Sequence, residues 1–229
     1  MTKKPTPNIH SGHRRRMRQN FLKHGAEHLE PHQILEIFLF GVLPRGDTNP
    51  LAHRLINAFG TIRNIVDADV KHLMAVEGVG ESVAAQIKLI PEMLKQYTLP
   101  LETDKEPILD QHVAKTYLSP HFFGAVVEKT YMLILDGLCH VKECVKLSEG
   151  HVSAAYMDIR SLVAIALEHN ACSVILAHNH PSGLSIPSRD DIETTKQIAE
   201  ALRMVDIPLL DHLVFGREGE TSMCSSGML

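Results

Sequence analysis

The chain has 229 residues, 44% hydrophobic and 22% charged, which is enough apolar material for one large core or two smaller ones. This composition excludes a disordered tail or a peptide-sized scaffold, and no apolar run approaches the roughly 20 residues that cross a bilayer, so we expect a soluble protein with no membrane partner. The net charge of −4 is unevenly divided: residues 1–100 have 13 Lys and Arg against 9 Asp and Glu, whereas residues 101–229 have 10 against 18.

The basic excess is greatest at the start of the chain, where the first 23 residues contain seven basic residues and no acidic one. Such a segment is typical of an arm that contacts nucleic-acid phosphates, and its candidate contacts are Arg14, Arg15, Arg16 and Arg18. A solvated helix face behind a loose tail explains the same charges. Both interpretations are open at this point.

Residues 13–96 are predicted to form several short helices, because apolar side chains recur every three or four positions. The stretch GVLPRGDTNP at residues 41–50 is predicted to be a loop, and Asp67 or Asp69 is placed to cap a short helix that reaches Val76. Residues 97–107 combine two prolines with several acidic residues and have the composition of a linker. We therefore predict a helical domain over residues 1–98 and a second domain over residues 107–229.

Within the helical region, residues 73–88 resemble a helix-hairpin-helix. In that motif Gly78, Val79 and Gly80 form a tight turn, and the following helix presents N–H groups to a phosphate. Sequence-independent binding of DNA would follow. Because Glu77 and Glu81 place negative charge beside the hairpin, a turn that serves packing alone is an equally good interpretation.

The second half of the chain alternates strand and helix patterns, which predicts an α/β or α+β domain. Asp136 begins a hairpin turn between the first two strands. The predicted strands cover residues 131–135, 140–147, 173–177 and 207–215, and the predicted helices cover residues 159–169 and 190–204.

The sequence HNHPSG at residues 178–183 carries the strongest functional signal. Side chains alternate along a strand, so His178 and His180 share one face while Asn179 points away. Neutral imidazoles on one face are favoured zinc ligands. Ser188 and Asp191 stand at the start of the next helix, where the intervening turn can return a third ligand to the strand end. A capping box explains the same Ser and Asp without a metal.

The spacing of these residues, H-x-H followed by ten residues and then Asp with Ser three positions before it, resembles the JAMM (MPN+) metalloprotease motif of deubiquitinating and related isopeptidases. The chain further resembles the RadC family in four short sequences: HNHPSG at residues 178–183, LLDHL at residues 209–213, GHRRRM at residues 12–17 and PRGD at residues 44–47. The resemblance implies an MPN/JAMM-like, cytidine-deaminase-like α/β (α+β) domain behind a small helical domain. The segment DIRS at residues 158–161 departs from the Pro-Arg-Glu that such sequences commonly carry there.

The resemblance also implies a ligand set. His178, His180 and Asp191 would bind one Zn²⁺ per chain and leave its fourth position to water. Ser188 would donate a hydrogen bond to the oxyanion of the reaction intermediate.

A JAMM site further requires a glutamate base from an early strand. Glu128, just before the predicted strand at residues 131–135, is our choice, ahead of Glu143 and Glu149. His212 is a candidate neighbour of the site, although a structural histidine beside a strand is the simpler interpretation.

Two functional classes follow from these patterns, and they are compatible. One is a zinc-dependent peptidase or isopeptidase with a peptide or amide substrate; the other is a DNA-binding accessory protein of repair or recombination, with non-specific DNA as its partner. A catalytically silent scaffold is disfavoured because every expected metal-site residue is present. Four cysteines are too few for a disulfide framework, and no apolar signal segment opens the chain, so we expect a bacterial-type cytoplasm.

Overall fold

The computed structural model describes residues 12–100, 106–150, 158–217 and 219–229. It divides into two compact units, Met1–Ile90 and Pro91–Leu229. This division falls within a helix, whereas the sequence predicts a boundary between residues 98 and 107, of which residues 101–105 lie outside the described part. The ranges 1–98 and 107–229 stay a prediction. No helix among the described residues is both long enough and apolar enough to span a membrane.

The chain between residues 12 and 100 is helical, as predicted. Its helices are α1 (His13–His24), α2 (Pro31–Leu39), α3 (Asn49–Phe59), α4 (Ile62–Asp67), α5 (Val70–Met74) and α6 (Glu81–Thr98). The predicted loop separates α2 from α3, and the Asp69 carboxylate caps α5 by accepting a hydrogen bond from the backbone of Lys71. Helices α1 to α5 have 12 residues or fewer and are marginal alone, so the helical region depends on apolar faces buried in a shared core. The core includes the fully buried side chains of Leu39, Leu55, Leu73 and Ile87.

The second unit is built on a mixed five-stranded sheet with the order β2-β1-β3-β4-β5. Strands β3 and β4 are parallel, and the other neighbouring pairs are antiparallel. The strands are β1 (Glu128–Leu135), β2 (Val141–Gly150), β3 (Ser173–Asn179), β4 (Leu209–Phe215) and β5 (Glu220–Ser222); the helices are α7 (Gln111–Leu118), α8 (Ile159–Glu168) and α9 (Arg189–Arg203). The sequence patterns predicted all of these elements except α7 and β5.

Alternate side chains of the sheet enter two separate cores. On one face Leu133 and Leu213 pack with α7, and on the other Met132 and Leu176 pack with α8 and α9. Because α9 connects the parallel strands β3 and β4, its first turn lies beside the carboxyl end of β3. Open α/β sheets place their ligands at this kind of position.

Candidate metal centre

Two histidines mark the end of β3. His178 is fully buried and pairs in register with Thr130 of β1, and His180 follows directly after the strand. Their Nε2 atoms are 3.0 Å apart. Asn179 instead turns to β1, where its Oδ1 accepts a hydrogen bond from the Lys129 backbone N–H at 2.8 Å. The alternation expected of a strand therefore brings the two imidazoles together.

Asp191 approaches the same point from the first turn of α9. Its Oδ1 is 3.6 Å from His178 Nε2, and its Oδ2 is 3.3 Å from His180 Nε2. The same carboxylate completes a capping box, because Oδ2 accepts from the Ser188 N–H at 2.7 Å while the Asp191 N–H donates to Ser188 Oγ at 3.1 Å. Capping and metal-ligand geometry thus coexist in one residue. Burial acts to raise the pKa of Asp191, but the adjacent imidazoles of His178 and His180 favour its charged form, outweigh burial and hold the pKa well below its ordinary value.

The three side chains offer ligand atoms at a spacing that suits a metal ion. One ligand atom from each lies within 4.8 Å of the others. Two ligands at tetrahedral positions, each about 2.1 Å from a zinc ion, are about 3.4 Å apart, and the separations here are 3.0, 3.6 and 3.3 Å. His178, His180 and Asp191 therefore form a candidate metal site.

The far side of each imidazole is also occupied. His180 Nδ1 lies 2.9 Å from the carbonyl oxygen of Leu184, which can only accept, so Nδ1 carries the proton and the Nε2 lone pair is left for the metal position. The adjacent Asp191 carboxylate favours the protonated form of His180 and so raises its pKa, against the effect of burial. His178 Nδ1 lies 2.8 Å from Nε2 of His212.

His212 is more than a histidine beside a strand. It is 1% exposed, contacts His178, and places its Nδ1 2.6 Å from Oγ1 of Thr195. Burial holds the pKa of His212 well below its ordinary value. Thr195 belongs to none of the sequence motifs that predict the site. One feature of the sequence could have indicated it: Thr195 is a polar residue one turn after Asp191, on the buried face of α9, where apolar side chains are typical.

Glu128 is the first residue of β1, on the strand that borders β3. The β1–β3 register pairs Thr130 with His178, and residues two apart share a face, so Glu128 lies toward His180. Burial, the largest cause, raises the pKa of Glu128; the charges of His178 and His180 act to lower it, and that of Asp191 raises it further. Glu128 is therefore within electrostatic reach of all three candidate ligands.

The two alternative glutamates point elsewhere. Glu143 pairs with Nδ1 of His169 at 2.8 Å. Glu149 pairs with Lys146 of its own strand β2 and with Lys129 of the neighbouring strand β1. Both carboxylates therefore have structural partners away from His178 and His180.

A short loop connects His180 with Ser188 and is fastened to the end of β4. The His180 N–H donates to the Phe215 carbonyl, and the Arg217 N–H donates to the Gly183 carbonyl, both at 2.8 Å. A Cβ atom added at Gly216 would stand 2.5 Å from the Gly183 oxygen. The absence of a side chain at Gly216 allows the loop to lie this close.

The candidate arginines of α1 have different surroundings. Arg14 donates to the carbonyls of Leu43 and Gly46, both at 2.6 Å, and its guanidinium lies 4.9 Å from the ring centre of Phe40. These contacts fasten the loop between α2 and α3. Arg15, Arg16 and Arg18 are exposed. Arg15 and Arg18 line a cavity of about 560 Å³ in the helical unit.

The hairpin before α6 has the expected tight turn. Gly78 has φ 93°, a conformation that favours glycine, and a Cβ there would stand 3.3 Å from Leu51. Val79 is 6% exposed and packs into the helical core, while Gly80 leads directly into α6. The side chain of Val79 thus anchors the turn, while Gly78 and Gly80 on either side of it are exposed.

Comparison with known proteins agrees with this arrangement. A family model described as the RadC-like JAB domain matches residues 108–228. The chain belongs to the RadC-like family. A second model, the SAM-like helix-hairpin-helix tandem, matches residues 50–90 of this RadC-like chain. The family and the fold predicted from the sequence are confirmed.

Relatives of similar length support the same assignment. A UPF0758 protein of Pseudomonas syringae pv. tomato is 34% identical over 214 residues, which are 93% of this chain and 96% of the relative. One from Aeromonas hydrophila has the same identity and coverage. One from Ruegeria pomeroyi is 31% identical over 223 residues, 97% of this chain and 100% of the relative. The similarity therefore extends through both the helical and the JAB regions.

Proposed function

We propose that this RadC-like chain is a zinc-dependent hydrolase of the JAMM type that cleaves peptide or isopeptide amide bonds. The observation that carries the proposal is the convergence of His178 Nε2, His180 Nε2 and the Asp191 carboxylate at the end of β3. These three residues would hold the ion. When bound, zinc supplies Lewis-acid chemistry, which polarises a carbonyl and makes water nucleophilic at neutral pH.

Glu128 is proposed as the base. It takes a proton from the attacking water and later delivers a proton to the leaving nitrogen. A carboxyl whose pKa is raised by burial is better matched to this exchange than a fully solvated one. Its place beside His180 on the site face of β1 supports this role.

Ser188 is proposed as the oxyanion donor. Its Oγ accepts the hydrogen bond from the Asp191 backbone through a lone pair, which leaves its O–H to donate. A donor fixed by helix capping costs little reorganisation when charge develops on the substrate oxygen.

The Glu128→Gln variant tests the proposal when compared with Glu143→Gln as a matched control. Each protein is loaded with zinc, its metal content is measured, and its activity is assayed on a quenched fluorescent peptide and on an isopeptide-linked analogue. Glu128→Gln should keep its zinc and lose about 100-fold or more in kcat/KM, because an amide cannot accept the proton. Glu143→Gln should match the wild type. Loss of zinc from Glu128→Gln would show that Glu128 is a metal ligand and not the base. Equal activity in the wild type and both variants would show that Glu128 takes no part in catalysis.

We also propose that the helical region contacts DNA without sequence preference, in an accessory role in repair or recombination. The match of residues 50–90 to a helix-hairpin-helix tandem favours this second function. Arg15, Arg16, Arg18 and the backbone of the Gly78-Val79-Gly80 turn are its proposed contacts. Arg14 belongs to the same basic stretch, with its guanidinium engaged by the neighbouring loop.

A further inference from the structure

We propose that Thr195 and His212 are positioning residues that fix the tautomer of His178, so that its Nε2 lone pair faces the metal position. The inference rests on the proposed metal site. It is carried by a chain of short contacts that begins on α9, crosses β4 and ends on β3. Thr195, His212 and His178 are each no more than 1% exposed, so water does not compete for these bonds.

The first contact fixes which atom donates in each hydrogen bond of the series. Thr195 Oγ1 lies 2.6 Å from the carbonyl oxygen of Asp191. A carbonyl has no proton to give, so the single proton of the threonine hydroxyl lies in this contact. Toward every other neighbour the Thr195 hydroxyl oxygen therefore acts as an acceptor.

The second link sets the tautomer of His212. Its Nδ1 is 2.6 Å from Thr195 Oγ1, and because that oxygen accepts, Nδ1 must carry the proton. A neutral imidazole protonated on Nδ1 has its lone pair on Nε2. That Nε2 atom lies 2.8 Å from Nδ1 of His178.

The third link reaches the ligand. His178 Nδ1 donates to His212, which leaves the His178 Nε2 lone pair directed at His180 and Asp191. The reverse order of protons would put a hydrogen on His178 Nε2, where it blocks coordination. It would also leave two oxygens 2.6 Å apart with no proton between them.

The two ligand histidines thus differ in what orients them. His180 donates to a backbone carbonyl, which accepts in every state of the protein. His178 donates to another imidazole, which can accept or donate on either nitrogen. A metal-binding histidine depends on the partner of its second nitrogen, so His178 depends on Thr195 to settle the direction of the bond.

The tautomer can be measured directly in the metal-free, full-length protein. Long-range ¹H–¹⁵N correlation spectra of histidine-labelled protein at about pH 8, where free imidazoles are neutral, distinguish the protonated nitrogen of each ring. The His178 signals are identified by their loss in His178→Gln. We expect the proton on Nδ1 of His178. A proton on Nε2 would overturn the inference.

Two variants of Thr195 extend the test to the metal. Thr195→Val removes the hydroxyl at constant shape, and Thr195→Ser retains it. By competition with a fluorescent zinc chelator, Thr195→Val should bind zinc about 10- to 100-fold more weakly than wild type. Thr195→Ser should restore wild-type affinity and the wild-type spectrum, and the tautomer of His178 is the readout that a merely structural role of Thr195 would not move.

The outcomes separate this inference from the proposed function. If the wild type takes up no zinc, the proposed function fails, and the spectra of the metal-free protein still decide the tautomer. If the wild type binds zinc and Thr195→Val equals it in affinity and tautomer, the inference alone fails. If Thr195→Val does not fold, the wild-type and Thr195→Ser spectra still show which nitrogen of His178 carries the proton.

Discussion

Ser188 caps α9 and is proposed as the oxyanion donor, and substitution by glycine can separate the two roles. As the N-cap of α9 it is worth about 1 kcal/mol relative to alanine, whereas glycine at an N-cap costs only a few tenths of a kcal/mol. Ser188→Gly should therefore keep the urea midpoint close to wild type while kcat/KM falls about 100- to 1000-fold through loss of the oxyanion donor. Ser188→Ala should show the same loss of activity with a lower midpoint. Full activity in Ser188→Gly would restrict Ser188 to capping.

At the scale of single residues, the candidate ligands could be predicted because each obeys a local rule. His178 and His180 are two positions apart on a strand, and Asp191 is three after an N-cap serine. Thr195 could not be predicted as a partner of the site. Its role depends on His212, which is 17 positions away in sequence and reaches it only after β4 and α9 have packed together.

The loop between β3 and α9 is held in place by the close approach of Gly216. A Cβ there would stand 2.5 Å from the Gly183 oxygen and 2.6 Å from the Ser185 nitrogen, so the backbone must move. We expect Gly216→Ala to destabilise the protein by about 1–3 kcal/mol. It should also weaken zinc binding, because the Leu184 carbonyl that orients His180 lies on this loop. Thermal unfolding and chelator competition measure the two effects.

Gly137→Ala is the matched control for that change. A Cβ at Gly137 meets only the Sγ atom of Cys172, at an ordinary contact distance of 3.9 Å. This variant should resemble the wild type in both stability and zinc affinity. If Gly216→Ala also binds zinc with wild-type affinity, the loop does not set the position of His180.

Among the elements, the long apolar strands and amphipathic helices followed from their periodicity, and two short elements did not. In α7 the apolar side chains Ala114, Tyr117 and Leu118 fill little more than two turns, and the helix is held by its Asp110 cap and by packing on the sheet. Strand β5 is only three residues long and has no apolar alternation. It forms because β4 offers an unpaired edge, a tertiary cause that local sequence does not record.

At the scale of the whole molecule, the uneven charge predicts where DNA would bind. Residues 1–100 have an excess of four basic residues and residues 101–229 an excess of eight acidic ones, so phosphates should be attracted only to the helical region. Binding of the full-length protein to duplex DNA should be weak, independent of sequence and steeply weakened by salt.

A pair of charge-matched variants tests this assignment. Arg15→Gln with Arg18→Gln should reduce the slope of log affinity against log salt by about 1.8, the value for two lost phosphate contacts. Arg160→Gln with Arg203→Gln makes the same change of charge on exposed residues of the second unit and should leave the slope unchanged. Fluorescence anisotropy at several salt concentrations measures both. Equal slopes in the two double variants would remove α1 from the DNA interface.

Elemental analysis of the purified protein decides whether His178, His180 and Asp191 hold a zinc ion. The wild type, loaded with zinc and then freed of excess metal, should retain about one zinc per chain. The double variant His178→Ala/His180→Ala should retain none, because two of the three ligand atoms are gone. Equal zinc content in the two proteins would show that these residues do not hold the metal.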